Sequence, residues 1–182
     1  MTKQEIIQVL MKEFRHFGYN ALTLSQISKV TGLGKASLYH HFPNGKEEMA
    51  IEVLRMANEW IKNELILNLQ NEINVDLKFK IILEKLNIFY YGGENYCLLD
   101  VMSTGNNSRE INKEIELVLA RLLSVFEKTA IEAGYTQKQS ETKAKEALCL
   151  IQGSLILARV LKDKNVFKQQ LKFIQTNYLK KN

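Results

Sequence analysis

The chain has 182 residues, of which 46% are apolar and 25% charged, with a net charge of +5. That length can bury a sizeable core in one or two small domains, and no stretch of about 18 apolar residues is present to cross a membrane. Cys97 and Cys149 lie far apart and the three histidines (His16, His40, His41) all fall near one end, so zinc-ligand spacing and a catalytic triad are excluded, and no metal or cofactor is expected.

One proline and nine glycines leave little material for loops, and the spacing predicts an all-α fold. Ile6, Leu10, Phe14 and Phe17 form an apolar stripe that Gly18 ends. Thr23 and Gln26 make a capping box for a short helix carrying Leu24, Ile27 and Val30. Gly32 sits where a left-handed residue closes a helix, and Gly34 follows after Leu33, so the turn is tight. A second short helix, Lys35 to Phe42, places Leu38 and Phe42 on one face. Pro43 ends it, and Asn44-Gly45 turns the chain into the next helix. The expected inward set is Phe14, Phe17, Ile27, Val30, Leu38 and Phe42.

Beyond this point the chain reads as longer helices. Lys46 to about Gln70 is expected to be one helix, and Asp76 to Tyr91 another, broken by Gly92-Gly93. Glu94 to Thr104 is short and apolar. Gly105 to Asn107 reads as a loop, with Ser108 as the cap of a helix running to Ala133. That helix should turn Ile115, Leu119, Leu122, Leu123 and Phe126 inward, and Gly134 ends it. Thr136 caps a helix to about Leu161, and Val166 to Leu179 forms the last one. The stretch Ala147 to Leu161 is apolar nearly all round and needs cover on most sides, from the rest of its own subunit or from a second copy.

Two short helices across a tight turn are the device that sets a helix in the DNA major groove. Residues 1–46 carry six Lys or Arg and two Glu, net +4, which suits an anionic partner. Bases are read from the N-terminal part of the second helix, here Lys35, Ala36 and Ser37, while flanking groups hold phosphates. Lys35 suits guanine O6/N7 or a phosphate, and the Ala36 methyl suits a thymine methyl. Gly34 lets backbone approach a phosphate closely. Tyr39 and His41 suit phosphates; partial core packing for Tyr39, and a helix-end backbone contact for His41, are the competing readings.

The stretch from about Ile6 to Met49 resembles the DNA-binding domain of the TetR family of bacterial transcriptional regulators. The matching residues are Phe14, Gly18 and Tyr19, the run Thr23 to Ile27 (TLSQI), the run Gly32 to Phe42 (GLGKASLYHHF), and Lys46. The chain has F-P-N-G-K where the commonest pattern is F-x-x-K, a variant that resembles the LmrA/YxaF-type and QacR-like branch. The resemblance implies a helix-turn-helix domain at 1–46 and a helical effector-binding and dimerisation domain at 47–182. It implies contacts to DNA from Thr23, Lys35, Tyr39, His40 and Lys46, and a homodimer formed through Ala147–Leu161 and Val166–Leu179. It also implies a cytoplasmic repressor of a pseudo-palindromic double-stranded operator, released by a small-molecule effector.

Trp60, Phe89, Tyr90, Tyr96, Cys97, Met102 and Phe126 are the candidate pocket residues, on helices that line the family's pocket. Such a pocket suits an apolar or aromatic effector, although each residue is equally suited to plain core packing. A cysteine-based redox or electrophile sensor on the same scaffold is the alternative. Glu94 and Asp100 beside Cys97 oppose thiolate formation there. Cys149 reads as packing. A helical enzyme is a third reading, but no nucleophile–base pair or phosphate loop supports it.

Overall fold

The computed structural model describes residues 1–104 and 107–180; the expected loop at Gly105 and Asn106 lies outside these. The helices are α1 (Lys3–Ala21), α2 (Leu24–Thr31), α3 (Lys35–His41), α4 (Gly45–Trp60), α5 (Val75–Phe89), α6 (Leu98–Ser103), α7 (Arg109–Glu132), α8 (Gln137–Leu161) and α9 (Asn165–Asn177). No strand occurs among the described residues, and none of their helices is long and apolar enough to cross a membrane. The chain forms two compact units, Met1–Glu59 with Leu98–Leu119 and Trp60–Cys97 with Ala120–Asn182. The first therefore takes in most of α4, all of α6 and the start of α7, beyond the three N-terminal helices.

In the first unit, Thr2 and Glu5 cap α1 reciprocally, and Ile6, Leu10 and Phe14 are fully buried. Each such side chain contributes about 1.5–3 kcal/mol by leaving water. Phe17 departs from the expected stripe and is 41% exposed. Gly18, immediately after it, takes φ 70°, ψ 179°, which breaks the helix and leaves the Phe17 ring at the surface against His16. Gly18 also lets α1 and α6 meet. A Cβ built on it would lie 2.9 Å from the Val101 carbonyl oxygen. Beside it, Asn20 Nδ2 donates to the Thr104 carbonyl.

Val30 is likewise exposed, at 43%. The inward stripe of α2 is Leu24, Ile27 and Thr31, and Val30 lies about 90° round the helix from its centre. Thr31 takes the buried place because its hydroxyl is satisfied locally, donating to the Ile27 carbonyl at 2.7 Å.

In the second unit, the helical path begun by α4 changes pitch. A π-helical stretch, Ile61–Ile66, and a 3₁₀ turn, Leu67–Leu69, replace the uniform helix expected to Gln70. Asn74 caps α5. Tyr91, Gly92 and Gly93 follow α5 with positive φ, and the Phe167 side chain packs so closely on Gly93 that a Cβ there would clash at 2.8 Å. Phe79, Phe126 and Tyr178 make a closed aromatic cluster, and the Tyr178 hydroxyl donates to the Phe126 carbonyl at 2.9 Å. Burial pushes the Tyr178 phenol well above its ordinary value.

The caps expected at Ser108 and Thr136 are present, and Gly134 is left-handed at φ 85°. On α7 the buried stripe runs through Ile111, Val118, Leu122 and Val125, and Leu119, about 80° off it, is 42% exposed.

Gly18→Ala should destabilise the chain by about 1–3 kcal/mol, because this φ/ψ combination is almost closed to other residues and the new methyl meets a backbone oxygen. Urea unfolding monitored by circular dichroism measures this; an unchanged midpoint would show that the α1–α6 approach is not tight.

Candidate nucleic-acid interface

The candidate interface is formed by α2, its turn and α3. The Thr23 hydroxyl accepts from the Gln26 N–H (3.2 Å) and donates to Gln26 Oε1 (2.8 Å), so its hydrogen-bonding capacity serves the start of α2. Gly32 closes α2 at φ 67°. The turn is fastened by side chains that sequence reasoning passed over: Ser28 donates to the Leu33 carbonyl, and Thr31 Oγ1 accepts from the Leu33 N–H. Both are short polar residues near a helix end, the positions where local side-chain-to-backbone bonds are common.

Gly34 precedes α3 with an ordinary φ of −65°, and a Cβ there would meet nothing within 4 Å. The fold therefore places no demand for glycine at this position, unlike Gly32.

α3 is anchored by Leu38 and Phe42, 1% and 0% exposed. With that face fixed, Lys35, Ala36, Ser37, Tyr39 and His40 all stand in solvent and His41 is half-buried. The helix carries one lysine and two histidines and no acid. The Tyr39 ring lies over Gly45, whose φ of 66° and proximity (Cβ position to Cε1, 3.3 Å) suit glycine alone.

Lys46 is not a free surface cation. Its Nζ donates to the carbonyls of Tyr19 (2.9 Å) and Leu22 (3.0 Å) and lies 4.6 Å from the Tyr19 ring centre. It ties the start of α4 to the end of α1, leaving one N–H for a phosphate. Burial lowers its pKa.

Glu48 pins the same corner from the other side. Its carboxylate accepts from the Asn44 N–H and from Lys3 Nζ, each at 3.0 Å, and Lys3 lies over the Phe42 ring. The Asn44 hydrogen bond, with Lys3 adding to it, holds the Glu48 carboxyl below its ordinary value of 4.5.

The candidate pocket residues do not gather as one set. Trp60 stacks on Phe89 at 4.2 Å, Phe89 meets Tyr90 edge-on, and the Tyr90 hydroxyl is 3.9 Å from the Cys97 sulfur. Phe167, expected only on the apolar stripe of the last helix, completes this cluster against Tyr90. Phe126 belongs to the closed cluster with Phe79 and Tyr178. Tyr96 packs under Arg159, 4.6 Å from the ring centre. Met102 is fully buried in the first unit. Cys97 is buried, whereas Cys149 is exposed rather than packed, because it lies on the side of α8 away from Ala144, Leu148 and Ile151. Among the described residues no group of His, Cys, Asp and Glu is arranged to hold a metal.

An all-helical chain whose short, anchored helix shows a basic polar face beside a capped partner helix has the make-up of a helix-turn-helix transcriptional regulator. Residues 6–53 match the model of the bacterial regulatory proteins of the tetR family. Two relatives from Bacillus subtilis (strain 168) align over most of their length. The uncharacterized HTH-type transcriptional regulator YxaF is 24% identical over 90% of this chain and 87% of its own. The HTH-type transcriptional regulator LmrA is also 24% identical, over 89% and 88%. A TetR transcriptional regulator from Legionella pneumophila shares the fold with a TM-score of 0.87 at 22% identity, covering 97% of this chain and 96% of that one. Residues 6–53 thus match a TetR-type DNA-binding domain, and the relatives that align over most of the chain are transcriptional regulators.

Glu48 sets a pH dependence. Because its folded pKa is depressed, its contribution to stability is present above pH 4.5, its unfolded value, and is lost as the pH falls through the folded value. The thermal midpoint of the parent chain should fall more between neutral and strongly acidic pH than that of Glu48→Gln. Parallel curves for the two would remove Glu48 from the corner.

Proposed function

We propose that the chain is a homodimeric repressor that grips a double-stranded operator with α3 and lets go when a small apolar or aromatic molecule binds. The observation that carries the DNA part is the division of α3 into an anchored face, Leu38 and Phe42, and a solvent face, Lys35, Ala36, Ser37, Tyr39 and His40. Lys35 and Ser37 read base edges, and the Ala36 methyl faces thymine. Tyr39, His40 and His41 hold phosphates, with the spare Lys46 proton beside them. Gly34 suits this reading, since the fold itself leaves room for a side chain there. Thr23 acts through its backbone and its cap. Residues 1–46 supply the DNA grip, and 47–182 supply control.

Repression is supported by a shorter match. The chain is 30% identical, over 45% of its length and 44% of the relative's, to a Staphylococcus aureus protein named as the biofilm operon icaADBC negative transcriptional regulator IcaR.

Dimerisation is supported by the outward face of α8. Leu150, Ile156, Leu157, Val160 and Leu161 are 38–69% exposed there, and Phe173 of α9 is 54% exposed. A contiguous apolar face on this scale marks an interaction surface. For the effector, the support is the Trp60–Phe89–Tyr90 stack, whose first two rings are only partly covered.

Replacing both Leu157 and Val160 by Glu should convert the dimer to a folded monomer in sedimentation velocity. DNA binding should then drop steeply, because each subunit supplies one recognition helix. A double variant that remains dimeric would move the interface elsewhere. Tyr39→Phe should weaken binding to all duplexes alike, by about three- to tenfold, as expected for one lost phosphate hydrogen bond. Fluorescence anisotropy measures this, and a change confined to particular sequences would make Tyr39 a base reader instead.

A further inference from the structure

A groove of about 570 Å³ runs between α5 and α9 in the second unit, and neither DNA binding nor dimerisation uses it. Leu83 and Leu171 form its floor, 3% and 7% exposed, and Ile88 stands at the rim, 69% exposed. Lys168 and Lys172 edge the groove, one turn apart on α9, so both ammonium groups lie on one helix face. Among the described residues neither has a carboxylate partner. Lys80, the third cation of the groove, already pairs with Glu84. Asn87 also lines the groove, and its Oδ1 is buried and accepts no hydrogen bond. A buried acceptor left in that condition calls for a donor.

Each feature selects part of a ligand. An apolar floor takes an alkyl or aryl body, and two unpaired ammonium groups take an anion. The Asn87 oxygen, buried and without a donor, takes a hydroxyl or N–H once its side chain turns into the groove. We propose that this groove binds an amphipathic carboxylate that also carries a hydroxyl. Its body lies on Leu83, Leu171 and Ile88, its carboxylate between Lys168 and Lys172, and its hydroxyl donates to Asn87. On α9, Lys168 points about 140° away from Phe173, so the groove stays open when the α8–α9 apolar face is covered by a second copy. It is separate from the Trp60–Phe89–Tyr90 cluster, whose rings do not line it.

The test is titration calorimetry of the full chain with phenyllactate, hydrocinnamate and phenylpropanol. These share one aryl body and differ in the carboxylate and the hydroxyl. Phenyllactate should bind saturably, hydrocinnamate more weakly, and phenylpropanol more weakly still. Replacing both Lys168 and Lys172 by Glu should weaken phenyllactate by about tenfold or more with the thermal midpoint unchanged, both positions being exposed. Asn87→Leu should erase the preference for phenyllactate over hydrocinnamate. No saturable heat with phenyllactate overturns the proposal. So does phenyllactate binding that survives the charge reversal, which would place the ligand elsewhere on the chain.

Discussion

α3 is seven residues long, too short to hold a helical shape in water by itself. Its form and its aim come from two buried side chains one turn apart, Leu38 and Phe42, and from the turn that delivers it. That constraint settles the rest of the candidate DNA-binding surface. Once those two are fixed inward, helical geometry leaves no choice about which residues look outward. The polar contacts around it brace the same arrangement. Ser28 and Thr31 fasten the turn ahead of α3, while Lys46 and Glu48 fasten the corner behind it to α1. Lys46 thus works first as a tie between helices, and any hold on a phosphate is secondary to that.

Local signals were readable from the residues alone. Thr23 with Gln26, Gly32, Pro43, Gly134 and Thr136 each act within a few residues of themselves, and each stands where its chemistry suggested. Phe17, Val30 and Leu119 depart from their spacing because burial depends on what packs against a helix, and spacing cannot report that. A break at Gly18 exposed one of them. A threonine able to satisfy its own hydroxyl displaced another. The change to a π-helical stretch after Trp60 had no local mark, since Ile61–Ile66 contains neither glycine nor proline.

The candidate site divides along the same line. The solvent-facing residues of α3 lie in one short run, so their common face could be derived from periodicity. The candidate effector residues come from five separate helices or loops, and Trp60, Phe89, Tyr90 and Cys97 join in one cluster. Phe167, which completes it, is far along the chain. Gly93 explains why it fits, as no other residue leaves room for that ring, but the pairing itself is a long-range fact. The outward face of α8 was legible as excess apolar surface, and Cys149 lies on it for the same reason that Leu157 does.

On the proposed function, α3 reads sequence as one half of a two-fold pair. Selection of bound duplexes from a random pool, followed by sequencing, tests it most directly. The expected result is an enriched pseudo-palindrome with half-site centres about one helical turn, ~34 Å, or a whole number of turns apart, and loss of base preference within each half when Lys35 is replaced by Ala. Recovery of no motif, with binding that only falls as salt rises, would contradict it, because α3 would then be gripping the phosphate backbone without reading the bases.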